Sequence, residues 1–302
     1  MALRPFAVRV AGAVRATAAP FDVVLKDYAL SDMLAAIYSD ADLGGAMAFK
    51  GGTALRKCFF RGYRFSEDLD FTMRERWEED RIESALAAAA ETATRLTAPW
   101  GVFRFAIEQK EHREDHPFGQ LDFRIRVDYP TGASLPIKLE LTRDEPIVLP
   151  TVRLNLIHLF DGEDLASEVQ CYSLEEIAIE KLRAFLQARQ NLEKRHWLNR
   201  ARDLYDIGYL WRQDLVRLDW ASLRGPLAAK AEARGVEFSG PDDFRDEGVL
   251  DSYRRTWEPR LRGFVTHLPR SSTPQRVSDS VPPARFPPKS QSTLGVWRPL
   301  TS

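Results

Sequence analysis

Cysteine is scarce in this chain: Cys58 and Cys171 are the two among 302 residues. Their separation matches no zinc spacing and builds no disulfide framework. Each has an aromatic neighbour, Phe59 or Tyr172, and both read as inert thiols of a reduced, cytoplasmic compartment. Long apolar runs are missing as well. Nothing approaches the roughly 18 consecutive apolar residues of a membrane span. Charge of one sign is not in excess, because the net charge is −1, so no global basic field advertises nucleic acid. No repeat with a period of about 20–50 residues is visible. The opening stretch 1–20 is Ala-rich and carries Arg4, Arg9 and Arg15. Those arginines leave too short an apolar run for a signal peptide, and the stretch is expected to be an N-terminal extension, frayed or a short helix.

What is present centres on Ala48 to Phe71, AFKGGTALRKCFFRGYRFSEDLDF. It reads as a short strand, a two-glycine turn, a helix and a second strand. Alternation along that second strand puts Asp68 and Asp70 on one face and Leu69 and Phe71 on the other. Two adjacent carboxylates repel each other. A hard divalent cation turns the repulsion into binding, and Mg²⁺ takes one or two carboxylates plus substrate phosphates. Gly51 and Gly52 let backbone approach a ligand closely, and the N–H groups of the following helix suit a phosphate.

Around this unit the chain divides into four parts. Residues 21–165 are expected to form an α/β core. Helical spacing covers 21–38 and 81–96, and strand-like alternation covers 102–107, 121–127 and 136–142. Residues 166–268 are expected to be a helical domain, with helices near 174–190, 200–212, 220–233 and 241–258. Ser173 followed by Glu176 is a capping box for the first of these. Residues 269–302 hold seven of the 18 prolines among many Ser and Thr. That composition cannot offset its ordering entropy, and a disordered tail is expected.

Three more charged residues stand out. Glu140 lies on the polar face of the strand 136–142, either as a third carboxylate for the aspartates or as a solvated neighbour of Lys138. Asp122 and Asp128 are weaker substitutes, since Arg124 and Arg126 share their face. Lys181 falls between Ile177 and Phe185 on the apolar stripe of its helix, and Asp203 falls on the stripe of Ile207 and Leu210 in the next, with Asp206 at the edge. A charge in such a place needs a partner or a ligand. The two readings are a structural ion pair and a shared polar site. Residues 181–202 carry seven basic side chains against Glu193 alone. With His196 and Trp197 interleaved, they make either a solvated helix face or an RNA face built on Arg189, Lys194, Arg195, Arg200 and Arg202.

The pairing of Gly51-Gly52 with Asp68-Leu69-Asp70 resembles the nucleotidyltransferase superfamily of DNA polymerase β, with a slightly longer spacer. The strings FKGGTALRK…RFSEDLDF, Lys138-Leu139-Glu140, EEIAIEKLRAFLQ and RARDLYDI resemble, in order, four motifs of the AbiEii/AbiGii toxin family. The resemblance spans about residues 26–210 and implies a polymerase β-like nucleotidyltransferase core with a C-terminal helical domain. It implies Mg²⁺ on Asp68, Asp70 and Glu140. It implies nucleoside triphosphate binding by Lys50, Gly51, Gly52, Thr53, Arg56, Ser66 and Lys181, with Asp203 needed for activity. The acceptor it implies is the 3′ end of a transfer RNA, and the biological role a growth-arresting toxin with an antitoxin encoded nearby. Transfer to a protein side chain, or a non-catalytic antitoxin-type binding module, are the rival readings. In similar mycobacterial toxins the hydroxyl matching Ser66 can be phosphorylated by a partner. The other reading of Ser66 is a plain turn or strand-start serine.

Overall fold

The alternating segments form two-faced strands that pair into one sheet. The structure, a computed structural model, describes residues 5–110, 118–130, 132, 134–158, 167–193, 200–212, 219 and 222–265. The strands are β1 (Met47–Lys50), β2 (Asp68–Met73), β3 (Arg104–Gln109), β4 (Gln120–Asp128), β5 (Ser134–Thr142), β6 (Val152–Asn155) and β7 (Glu168–Cys171). Their order is β3-β4-β5-β2-β1-β7-β6. Pairing is antiparallel except for β2 with β5 and β1 with β7. The sheet reaches Cys171, so the last strand falls inside the stretch expected to be helical. Four residues reading Glu-Val-Gln-Cys carry too little alternation to announce a strand.

One face of the sheet is apolar. Leu69 and Phe71 of β2, Leu139 and Leu141 of β5, and Phe123 and Ile125 of β4 are all buried there. Burying each such side chain contributes about 1.5–3 kcal/mol. Helices α2 (Phe21–Ser39) and α5 (Glu79–Thr97) pack against each other and cover this side. The opening stretch is a helix, α1 (Phe6–Thr17), that packs on α2 through buried Val10 and Ala13. A further short helix, α3 (Ala41–Ala46), is capped by Asp40, whose carboxylate accepts from the amides of Asp42 and Leu43.

The helix expected after the two glycines is one α-turn, α4 (Gly51–Ala54), followed by a π-helical turn, Leu55–Phe59. A buried ion cluster fixes that turn to α2. Asp27 accepts from Arg56 Nε at 2.5 Å and pairs with Lys57 Nζ at 2.8 Å. Lys57 also donates to Ser31 Oγ at 2.8 Å and to the Asp27 carbonyl at 2.9 Å. Two cations around one carboxylate hold Asp27 below the usual carboxylate range, against the upward push of burial.

The second region is helical: α6 (Leu174–Gln190), α7 (Ala201–Arg212), α8 (Arg224–Ala233) and α9 (Glu247–Leu261). Ser173 caps α6 by accepting from the Glu176 amide. The expected helix near 241–258 is split. A 3₁₀ turn, Pro241–Arg245, ends where Asp246 turns extended and caps α9. Helix α6 packs on α7, α8 and α9, and it faces the polar side of the sheet across a cleft. Lys194, Arg195, His196, Trp197 and the proline-rich tail lie outside the described residues.

The fold brings the two cysteines together. Cys58 on the π-turn and Cys171 on β7 are both buried, with their sulfurs 3.2 Å apart. Closing that gap to the roughly 2.05 Å of a disulfide needs a small shift. Oxidation with excess glutathione disulfide should consume both thiols and raise Tm, since the bond would tie down a long loop. Cys58→Ser should remove both effects. Two free thiols after prolonged oxidation would show that the pair cannot close.

Candidate active site

Strand register builds the floor of the cleft. On β2, Leu69 and Phe71 are fully buried while Asp68 and Asp70 are half-buried on the opposite face. Asp70 stands directly opposite Glu140 on β5 and Lys50 on β1. Asp68 stands opposite Lys138, and Glu140 opposite Asp122 of β4. Three carboxylates of the expected set therefore share one face of adjacent strands. No ion pair reaches Asp68 or Asp70 among the described residues. Burial, with Glu140 and Asp68 adding to it, pushes the Asp70 carboxyl well above its ordinary range. Burial and Glu140 push Asp68 up too. Glu140 goes the other way. Burial alone would raise it, but its hydrogen bond and ion pair with Lys138 hold it below. Gln120 Nε2 also donates to Glu140, at 3.3 Å, and to Asp122 at 2.6 Å.

The two-glycine turn closes one end. Gly51 has φ of 80°, and a Cβ there would stand 2.3 Å from Asp70 Oδ2. Both the backbone and the crowding demand glycine. Thr53 Oγ1 donates to the Asp68 carbonyl at 2.5 Å and pins this turn to β2.

The opposite wall comes from α6 and α7. Lys181 pairs with Asp203 at 2.8 Å and with Asp206 at 2.7 Å. Asp203 also pairs with Arg200 at 3.1 Å. Asp206 is fully buried and accepts from Arg64 Nε and Nη2, each at 2.6 Å, and from the Tyr63 hydroxyl at 2.5 Å. Burial would lower Lys181, but Asp203 and Asp206 outweigh it and keep the ammonium charged. The same pairing lets Asp203 ionise far below its usual range despite burial. Lys181 and Asp203 are thus paired to each other and also line the cleft, so the two readings of them are parts of one arrangement.

The cleft encloses about 340 Å³ and is lined by Gly51, Gly52, Ser66, Asp68, Asp70, Glu140, Lys181, Arg200, Arg202 and Asp203, among others. Lys50 lines it as well, but its ammonium rests on Thr142 Oγ1 at 3.0 Å and on Glu145. Three expected contacts do not reach it. Arg56 is committed to Asp27 and to the Tyr63 carbonyl on the far side of the π-turn. Thr53 is buried with its hydroxyl used by the Asp68 carbonyl. Arg189 pairs with Asp243. Of the expected RNA contacts, Arg200 and Arg202 reach the cleft wall.

Sequence reasoning missed Arg64, Glu145 and Gln120, which also line the cleft. Arg64 and Gln120 carried no periodic signal, and Glu145 lies on a loop. Asp206 was visible only as a charge at the edge of an apolar stripe. Among the described residues, no group of three or more His, Cys, Asp or Glu side chains converges to hold a metal ion by itself. The all-oxygen donors Asp68 and Asp70 still fit a hard cation that takes its remaining ligands from substrate phosphates.

A family model described as "Nucleotidyl transferase AbiEii toxin, Type IV TA system" matches residues 32–284. Among solved structures, MenT4, a nucleotidyltransferase toxin from Mycobacterium tuberculosis H37Rv, aligns with a TM-score of 0.56. It covers 92% of this chain and 94% of its own, at 21% identity, a likeness of fold. Comparison with curated proteins gives no match.

Two outcomes follow for stability. Asp70 has a folded-state pKa above its unfolded one, so its ionisation penalises the folded state increasingly as pH rises between the two. Asp70→Asn, without divalent metal, should therefore raise Tm near neutrality, with a gain that shrinks on acidification. A Tm that falls at every pH would show that the carboxylate stabilises the fold. Lys181→Met leaves Asp203 with Arg200 and Asp206 with Arg64, so denaturant titration should show a loss of about 1–2 kcal/mol. Asp206→Asn strips Arg64 of its buried counter-ion and should cost about 3–5 kcal/mol. Equal losses would mean the two residues share one structural role.

Proposed function

The chain belongs to the AbiEii family of nucleotidyl transferase toxins of type IV toxin–antitoxin systems, and we propose that it transfers a nucleoside monophosphate from a nucleoside triphosphate to the 3′ end of a transfer RNA. The observation that carries the reading is the register of β2 and β5, which sets Asp70 against Glu140 under the cations of α6 and α7. In the reaction the terminal hydroxyl oxygen bonds to the α-phosphorus, the bond from that phosphorus to the bridging oxygen breaks, and pyrophosphate leaves. Asp68 and Asp70, with the substrate phosphates, would hold Mg²⁺, which supplies charge neutralisation at the reacting phosphate. Glu140, kept ionised by Lys138, accepts the proton of the attacking hydroxyl. Lys181 balances triphosphate charge from the opposite wall. Arg200 and Arg202 contact the incoming RNA backbone. Lys50 joins the nucleotide if it exchanges Glu145 for phosphate.

Type IV family membership supports a cognate antitoxin as partner. Ser66 lines the cleft two residues before Asp68. A phosphate on its hydroxyl would add about −2 charge beside the carboxylates and compete with substrate. No helix among the described residues is long and apolar enough to cross a membrane.

Incubation with total RNA plus cell lysate and each labelled triphosphate, followed by separation of RNA from protein, tests the reading. Label should enter transfer-RNA-sized species, require Mg²⁺, and fall at least about 100-fold in Asp68→Ala. Label on protein would replace the acceptor, and transfer retained in Asp68→Ala would remove the assigned chemistry.

A further inference from the structure

What occupies the place of a side chain at Gly52 is Arg64. A Cβ on Gly52 would stand 2.4 Å from Arg64 Nη2 and 3.4 Å from Ser66 Oγ. Unlike Gly51, Gly52 has no positive φ, so its backbone alone would accept alanine. The demand for glycine at this position is steric, and the atom that makes it is the tip of a guanidinium.

Arg64 is 5% exposed yet lines the cleft beside Gly52, Ser66 and Lys181. A guanidinium carries five N–H donors in a fixed fork. Asp206 takes Nε and one Nη2 hydrogen in a bidentate pair, and the Phe65 carbonyl takes one from Nη1 at 3.1 Å. Two N–H groups remain without a partner among the described residues. Arg64, Lys181 and Arg200 stand on one wall of the cleft, with Asp206 and Asp203 between them. Arginine with a fixed plane and spare donors suits phosphate.

We propose that Arg64 is a triphosphate-binding residue of this site, positioned by Asp206 so that its two spare N–H groups meet a phosphate oxygen beside Gly52, and that residue 52 is glycine to leave it room. The proposal rests on the nucleotidyl-transfer reading above and adds a residue to it.

The test is a double-substitution cycle on nucleotide binding. Calorimetry with the four α,β-methylene nucleoside triphosphates and Mg²⁺ measures affinity without turnover. Gly52→Ala pushes Arg64 aside while keeping every charge, and Arg64→Lys keeps the charge while losing the fork. Each should weaken binding about tenfold or more, the size of a lost charge-assisted hydrogen bond. The double substitution should be no weaker than Arg64→Lys alone, because both act on one contact. Multiplying effects would show that Gly52 serves the ligand independently, and wild-type affinity in Arg64→Lys would remove Arg64 from the site; either overturns the proposal. If Arg64→Lys does not fold, Gly52→Ala decides, with unchanged affinity as the refuting result. Failure of the unsubstituted protein to bind any of the four would overturn the nucleotidyl-transfer reading itself, and this proposal with it.

Discussion

Repulsion among carboxylates on one sheet face is the constraint on which the rest of this structure depends. Asp70 is set between Asp68 on its own strand and Glu140 on the next, and no cation reaches it in an ion pair among the described residues. Such an arrangement destabilises the empty fold and persists only where the surrounding structure over-determines it. Here two apolar contacts do so from beneath. Leu69 and Phe71 cannot leave the core without exposing their whole surface, and the period-two geometry of the strand then forces the aspartates upward. The acids are held in place by the grease on the other face.

The cations show the complementary design. Lys181, Arg64, Arg200 and Lys50 all line the cleft, yet none is spent on the aspartates of β2. Each is held by a carboxylate: Lys181 and Arg200 by Asp203, Lys181 and Arg64 by Asp206, and Lys50 by Glu145 after β5. A cation tethered in this way stays oriented without neutralising the carboxylates that the chemistry needs. The buried pair of Arg64 and Asp206 also links the loop before β2 to α7. It joins the sheet to the helical region at the same point where the two-glycine turn opens. The Asp27 cluster does similar work behind that turn, fixing the π-helical residues to α2. Buried ion pairs of this kind add little net stability, but removing one partner is costly. Both clusters therefore set geometry more than they add strength.

Much of this was legible in the sequence. The alternation of Asp68-Leu69-Asp70-Phe71 and of Ile137 to Thr142 depends only on strand period, so the faces of both strands followed without any structure. Helix α6 matched its expected span because Ser173 and Glu176 form a local cap. The inward placement of Lys181 and Asp203 followed from helical spacing for the same reason. The family could be recognised because its motifs are short and local.

What the tertiary structure alone decided involves pairs distant along the chain. That Arg56 serves Asp27, and Arg189 serves Asp243, depends on which face of a turn or helix meets which neighbour. Nothing local distinguishes Arg56 from a phosphate ligand. That Cys58 meets Cys171 depends on the parallel pairing of β1 with β7, a long-range crossover with weak local signal. Arg64 and Asp206 are 142 residues apart, and neither carries a pattern that names the other. Periodicity tells which way a side chain points from its own backbone. Only the packing of one element on another tells what stands there to meet it.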